Sequence, residues 1–272
     1  MLDIIKAPAK KNLCYIAAQR MVPAGIVVHS TGANNPWLKR YVDCPGEVGV
    51  NQYGNHWNTA KPGGQKMCVH AFIGYDKNKK IRVAEILPLD ICCWGVGSGS
   101  KGSYNYNPAY IQFEICEDGL TDETYYRAVF DVAAEYCAYL CRTYGLRIES
   151  VVGHIEAHRK GYGSSHADPE HWMKRFGETM DDFRARVDEK LGKESEAETP
   201  RSVQKGDLVV LSRDACYFSG KPIPQWVKAQ KWYVKEAQEN GRVVIDRNEA
   251  GTNAICSPVH EKDLTLVRRC SV

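Results

Sequence analysis

The stretch GKESEAETPRSVQ, residues 192–204, divides the chain into two compositional regimes. It is polar and charged, it follows a helical pattern that Gly192 closes, and it reads as a linker. About 190 residues precede it and about 70 follow, so the expected organisation is a first domain over 1–191, a linker over 192–204 and a second domain over 205–272.

The first region alternates strands and helices. Gly25–Ser30 (GIVVHS) is a β-branched apolar run, expected as a buried strand that ends at His29. Along Ala109–Cys116 (AYIQFEIC), Ile111, Phe113 and Ile115 face one way while Gln112, Glu114 and Cys116 face the other. Residues 122–144 carry a helical stripe of Tyr126, Val129, Phe130, Ala133, Cys137, Leu140 and Cys141, with Thr121 or Asp122 to cap its start and Gly145 to end it. Glu149–Gly153 is a further short apolar segment that runs into His154, and a last helix is expected from Thr179, its N-cap, to about Leu191. The fold class is therefore α/β, a mixed central sheet flanked by helices. The second region differs. GDLVVL (206–211), ACYFS (215–219), WYVKEA (232–237), GRVVIDR (241–247) and DLTLV (263–267) read as short strands between turns, the pattern of a small all-β barrel.

Composition narrows the function. A formal net charge of +3 does not supply the concentrated basic face that nucleic acid requires. The charge is uneven, however: residues 201–272 carry 12 Lys/Arg against 8 Asp/Glu, which favours an anionic partner such as a wall polymer unless it is ordinary scatter. Eleven cysteines, an odd number without C-x-x-C, read as reduced and mostly buried thiols made in a cytosol. The N-terminus has no apolar signal-peptide core, and no run approaches the length of a membrane span.

The segment GHIEAHRKGYGSSHADPEHW (153–172) holds four of the eight histidines. His154 and His158 have the spacing of a helical zinc pair, but Glu156 is misplaced for an H-E-x-x-H site and the flanking glycines oppose a long helix. His154-Ile-Glu156 matches the H-x-E of zinc deaminases, but no P-C-x-x-C follows. A third reading takes ligands from separate elements. His29 and His154 each come directly off an apolar strand, and the Gly/Ser-rich loop 159–167 can return Asp168 to them. Two histidines and a carboxylate form a legitimate catalytic zinc set with one open position. The plain alternative is a pair of satisfied core histidines beside a polar loop, and spacing alone leaves both open.

The ordered set VVHSTG (27–32), HAFIGYD (70–76), WGVGSG (94–99), IQFEIC (111–116), VVGHIE (151–156) and HADPEHW (166–172) resembles the type-2 N-acetylmuramoyl-L-alanine amidases, a family that includes peptidoglycan recognition proteins and phage endolysins. The match covers most of residues 10–190. The region after 203 looks like the SH3-like wall-binding modules of clostridial phage and prophage lysins. The resemblance implies Zn2+ held by His29, His154 and Asp168, with Glu114 and His166 acting beside it. His166 departs from the lysine common at that position, which makes its role more pH-dependent. Gly95 departs from the histidine found after Trp94 in many relatives. Trp94 and His70 are the substrate-binding candidates, each set against a packing role. His56, His158, His171 and His260 read as surface or loop residues, and Trp172 reads as core.

The implied reaction is zinc-dependent hydrolysis of the amide between N-acetylmuramic acid and L-alanine in bacterial peptidoglycan. Glu114 would handle the water's proton and His166 would stabilise the oxyanion. The second domain, with Tyr217, Phe218, Trp226, Trp232 and Tyr233, would hold the enzyme on cell-wall polymers, although most of these aromatics read as the barrel's own core. The rivals are a non-catalytic peptidoglycan-binding protein, a stem-peptide metallopeptidase and an intracellular recycling amidase. Without a signal peptide, a lysin would wait in the cytosol and leave through a holin-type pore. The sequence leaves the oligomeric state open.

Overall fold

The computed structural model describes residues 2–197, 203–212, 214–238, 240–255, 257–268 and 270, with the side chains of 193–197 left undescribed. The chain divides into two compact units, Met1–Ser195 and Glu196–Val272.

In the first unit the elements follow in the order β1 (Ile4–Lys6), α1 (Leu13–Ala17), β2 (Ile26–Ser30), α2 (Pro45–Val48), β3 (Ala71–Tyr75), β4 (Ile81–Glu85), β5 (Ile111–Ile115), α3 (Glu123–Tyr144), β6 (Val151–Gly153), α4 (His154–Lys160), α5 (Glu170–Met173) and α6 (Met180–Ala197). The six strands form one sheet in the order β1-β4-β3-β5-β2-β6. Only the β3–β4 hairpin is antiparallel; the remaining pairs are parallel, which makes the sheet mixed. Parallel neighbours need covered faces, and both faces are covered here. On one side α3 and α6 bury Val129, Phe130, Ala133, Phe183 and Val187 against Ile26, Val28, Ile111, Phe113 and Ile115. On the other, Phe72 stacks on Tyr41 at 4.9 Å and meets Trp57 edge-on.

The α3 signals act as expected. The Asp122 side chain accepts from the Tyr125 N–H at 3.0 Å, and Gly145 leaves the helix at φ 63°. At the start of α6 the Asp182 N–H donates to Thr179 Oγ1. That helix runs on through Gly192 to Ala197, past its expected end near Leu191. One glycine costs a helix only about 1 kcal/mol, and the strong helix formers of KESEA outweigh it. The division between the units thus falls inside the expected linker, of which residues 198–202 lie outside the described residues.

The second unit holds β7 (Leu208–Leu211), α7 (Gln225–Lys228), β8 (Lys231–Ala237), β9 (Arg242–Asp246), β10 (Val259–His260) and β11 (Leu264–Arg268), in one antiparallel sheet of order β10-β9-β8-β7-β11. The expected strand at 215–219 is not formed. That segment makes only the isolated bridges Cys216↔Pro222 and Tyr217↔Val259, because the chain turns at once through Gly220 at φ 80°. The pairing strand is Val259–His260, which is too short to read from periodicity. Trp232 is fully buried and its indole N–H donates to Val227 O at 2.8 Å. Ten described cysteines are free thiols, seven of them buried, and Cys256 lies outside the described residues. Among the described residues no helix is long and apolar enough to cross a membrane.

Candidate metal centre and its cavity

Parallel pairing sets the site. Val28 lies beside Gly153 in the β2–β6 register, so the next residue of each strand, His29 or His154, emerges at the same carboxyl edge. On the other flank of β2, His29 is in register with Glu114 of β5. Because Ile111, Phe113 and Ile115 pack under α3, the strand's alternation turns Gln112 and Glu114 to the opposite face, where His29 lies. His154 opens α4, whose other histidine, His158, turns its Nδ1 to Gly163 O. After it, Gly161 turns at φ 90° and the Ser164 N–H donates to Val96 O at 2.9 Å. Gly163 lies so close to Val96 that an added Cβ would sit 2.9 Å from its methyl. The loop is thereby folded back, and Asp168 arrives between the two imidazoles.

The result is a triangle. His29 Nδ1 lies 3.0 Å from Asp168 Oδ2, and His154 Nδ1 lies 3.2 Å from Asp168 Oδ1. The two rings meet edge to face at 4.7 Å between centroids, and the three ligand atoms all fall within 4.8 Å of one another. Each outer nitrogen faces an oxygen: His29 Nε2 lies 3.2 Å from Gln112 Oε1, and His154 Nε2 lies 3.1 Å from Val96 O. An imidazole that donates from Nε2 carries a bare lone pair on Nδ1. Two such lone pairs directed at one carboxylate repel it unless a cation lies between them, so the donor set fits a bound divalent metal. Burial alone would raise the Asp168 pKa. The direction is downward nonetheless, with the two imidazoles as the cause, so Asp168 stands as the anionic member of the set. For His154 burial dominates and lowers the pKa, so the neutral, ligand-competent form is favoured.

A cavity of about 480 Å3 opens beside the triangle, walled by Glu114, His166, His171, Thr31, Trp57 and Met67. Burial, then the charges of Asp168 and Glu117, push the Glu114 carboxyl well above its ordinary range. Its Oε2 is buried without a hydrogen-bond partner among the described residues. His166 is exposed, with its ring 4.9 Å from that of His154.

The structure thus brings together five of the expected residues, His29, His154, Asp168, Glu114 and His166, and leaves two out. His70 is fully buried. It donates from Nε2 to Ile91 O at 2.9 Å, while its Nδ1 accepts from the Gln112 N–H at 2.9 Å. It is a backbone clamp with no free nitrogen, and the substrate-binding expectation for it is corrected. Trp94 packs with the apolar cluster beneath the sheet and is absent from the cavity wall. That position fits the packing role set against substrate contact for it. His158 points away, with Nδ1 3.1 Å from Gly163 O, and Glu156 is engaged by Arg184 at 2.9 Å. The helical-pair and H-x-E readings therefore fall. Trp172 is core, edge-on to Tyr126 and Phe130.

Sequence reasoning missed the pair Glu117–His171. His171, expected as a loop residue, lines the cavity, and its Nε2 lies 3.0 Å from Glu117 Oε1. Ser30 Oγ donates to the same oxygen at 2.5 Å, and the hydrogen bond to Glu117 raises the His171 pKa. No spacing signal marks residues joined only by the packing of the loop onto β5. Trp57 and Met67 were missed for the same reason.

Comparison with known proteins agrees with this geometry. Over 176 residues the chain is 28% identical to Protein Ami of Listeria monocytogenes, covering 62% of this chain and 16% of that protein. Over 91 residues it is 33% identical to a probable N-acetylmuramoyl-L-alanine amidase of Bacillus licheniformis, covering 34% of this chain and 23% of the other. The chain thus spans only a small part of the length of both relatives. The crystal structure of the hydrolase AmiA of Staphylococcus aureus in complex with its ligand superposes with a TM-score of 0.52 at 23% identity, over 73% of this chain and 87% of that one, and shows the same fold. The family model described as N-acetylmuramoyl-L-alanine amidase matches residues 19–171. With its matched span covering more than half of its length, the chain belongs to that amidase family.

Proposed function

We propose that the protein is a zinc-dependent N-acetylmuramoyl-L-alanine amidase that acts on bacterial peptidoglycan. One observation carries the reading: two imidazoles and a carboxylate converge at the carboxyl edge of the sheet, beside a buried carboxylate oxygen that has no partner among the described residues. His29 and His154 through Nδ1, and Asp168 through its carboxylate, would hold the ion. Zinc bound there supplies Lewis acidity toward an amide carbonyl and lowers the pKa of water toward about 7. Glu114 takes the proton from the attacking water and returns it to the departing amine of L-alanine, a role that its raised pKa suits. His166 donates to the carbonyl oxygen as charge builds on it, an effect worth roughly 3 kcal/mol. Trp57 and Met67 shield one wall of the cavity from water.

The second domain, 205–272, is read as an SH3-like module that holds the enzyme on the wall. Supporting this, Trp226 is 52% exposed, with the Arg247 guanidinium 5.7 Å from its ring centroid, whereas Trp232 is spent on the core. An exposed aromatic flanked by a cation suits a polymer of sugars and anionic groups.

The test is digestion of purified peptidoglycan with and without a zinc chelator. New N-terminal alanine that vanishes with chelator is the expected result. Binding without new termini would make the protein a recognition module, and termini on other residues would make it a stem-peptide peptidase. In the same preparation, Trp226→Ala is expected to co-sediment less with intact walls while cleaving soluble fragments normally.

A further inference from the structure

Beyond the ligands themselves, we propose that one backbone segment, Gly95–Val96, sets the tautomer of both histidine ligands, and that Gln112 and Asn105 are positioning residues through which it does so. This rests on the zinc amidase reading.

For His154 the link is direct: its Nε2 lies 3.1 Å from Val96 O and 3.0 Å from Ser164 Oγ, and that hydroxyl commits its own hydrogen to Val96 O at 3.2 Å. A carbonyl oxygen only accepts, so Nε2 must carry the hydrogen and Nδ1 must be bare. For His29 the link has three steps. The N–H groups of Gly95 and Val96 both donate to Asn105 Oδ1, at 3.1 and 3.2 Å. Two backbone donors leave no doubt which end of the Asn105 amide is oxygen, and its Nδ2 donates the other way, to Gly97 O at 3.3 Å. Asn105 Oδ1 then takes a third hydrogen bond, 2.9 Å long, from Gln112 Nε2. That fixes the Gln112 amide with Oε1 toward His29, where it lies 3.2 Å from Nε2. His29 must therefore donate from Nε2 and present a bare Nδ1 to Asp168.

Every member of the chain is enclosed. Gln112 is 0% exposed, Asn105 6% and His29 1%, so water does not replace a lost partner freely. The Gln112 backbone is clamped in turn by His70, the residue just before β3. Gly95 completes the arrangement by its missing side chain. A Cβ there would sit 2.5 Å from Gln112 Oε1, 2.9 Å from a Val69 methyl and 3.3 Å from Cys68 O. The Gln112 amide occupies the space that any side chain at 95 would claim. Glycine at 95 and glutamine at 112 are thus two halves of one device.

The two variants Gln112→Met and Gly95→Ala test it by independent routes in the full-length protein. Methionine keeps the bulk of glutamine but offers no oxygen of comparable acceptor strength. The methyl group that Gly95→Ala adds leaves Gln112 in the sequence but pushes its amide away. Zinc affinity is read by competition with a chromophoric chelator, ligand geometry by the visible spectrum of the cobalt-loaded protein, and fold by melting of the metal-free protein. Each variant is expected to bind zinc about 10- to 100-fold more weakly, with an altered cobalt band. The double variant is expected to lose no more than the weaker-binding single variant, because both remove the same hydrogen bond. Wild-type affinity and spectrum in Gln112→Met, or losses that multiply in the double variant, would overturn the proposal. If Gln112→Met does not fold, Gly95→Ala and its cobalt spectrum decide alone. A wild-type protein that binds no zinc and releases no alanine would instead sink the amidase reading, and this inference with it. An active wild type with insensitive variants sinks only this inference.

Discussion

His70, one residue before β3, and His29, near the end of β2, are both buried imidazoles beside the same sheet, and they do opposite things. His70 spends one nitrogen on a carbonyl and the other on a backbone N–H, with no carboxylate near enough to bond. His29 spends one nitrogen on an amide oxygen and aims the other at Asp168, which His154 approaches from its other side. Burial does not separate them. What separates them is the partner of the second nitrogen. A histidine whose two nitrogens are both satisfied by the main chain is a structural fastener. One that shares a carboxylate with a second imidazole belongs to a set that could hold a cation.

The largest effect that would break this contrast is on His154. His154→Ala is expected to abolish both zinc retention after dialysis and release of N-terminal alanine. A variant that keeps a full equivalent of zinc would move the metal elsewhere. Next comes Glu114→Gln, expected to keep zinc while slowing hydrolysis by about 10²- to 10⁴-fold. Loss of zinc there would make Glu114 a ligand.

His70→Leu should do the reverse. It leaves zinc bound but strands Ile91 O and the Gln112 N–H, lowering stability by about 2–4 kcal/mol at pH 7 in urea unfolding. Its sharper test is pH. Burial lowers the His70 pKa to about 4, against about 6.5 in an unfolded chain. Between these values the unfolded chain binds a proton that the folded chain refuses, so His70 costs the wild type stability as pH falls, up to about 3 kcal/mol by pH 4. The penalty of His70→Leu is therefore expected to shrink between pH 7 and pH 4.5. An unchanged difference would mean that His70 takes up a proton in the fold as readily as in the unfolded chain. The smallest effect is expected from His158→Ala, within about 0.5 kcal/mol and with normal activity.

How much of this was legible in the sequence follows the range of the signals. Glu114 was readable because alternation along one strand fixes its face. His29 and His154 were readable because each ends an apolar run. The α3 caps were readable because capping is decided within four residues. Gln112, Asn105 and the Glu117–His171 pair were not readable, because their roles depend on which loop meets which strand. For His70 and Trp94 the packing role set against substrate contact is the one their positions fit, since lying near the motifs in sequence does not place a side chain on the cavity wall. In the second unit, 215–219 has strand composition but turns at Gly220 before it can pair at length.

His29 and Asp168 are separated by 139 positions along the chain, and β6, which leads into His154, lies between them in sequence. No peptide fragment short of nearly the whole first unit holds the set. As the chain leaves the ribosome, a metal ion finds no three-ligand binding place until residue 168 has emerged and the parallel strands have paired, which is the slow, long-range part of assembly. If the set holds zinc as proposed, metal uptake would stabilise only the finished fold, by an amount that rises with the logarithm of free metal.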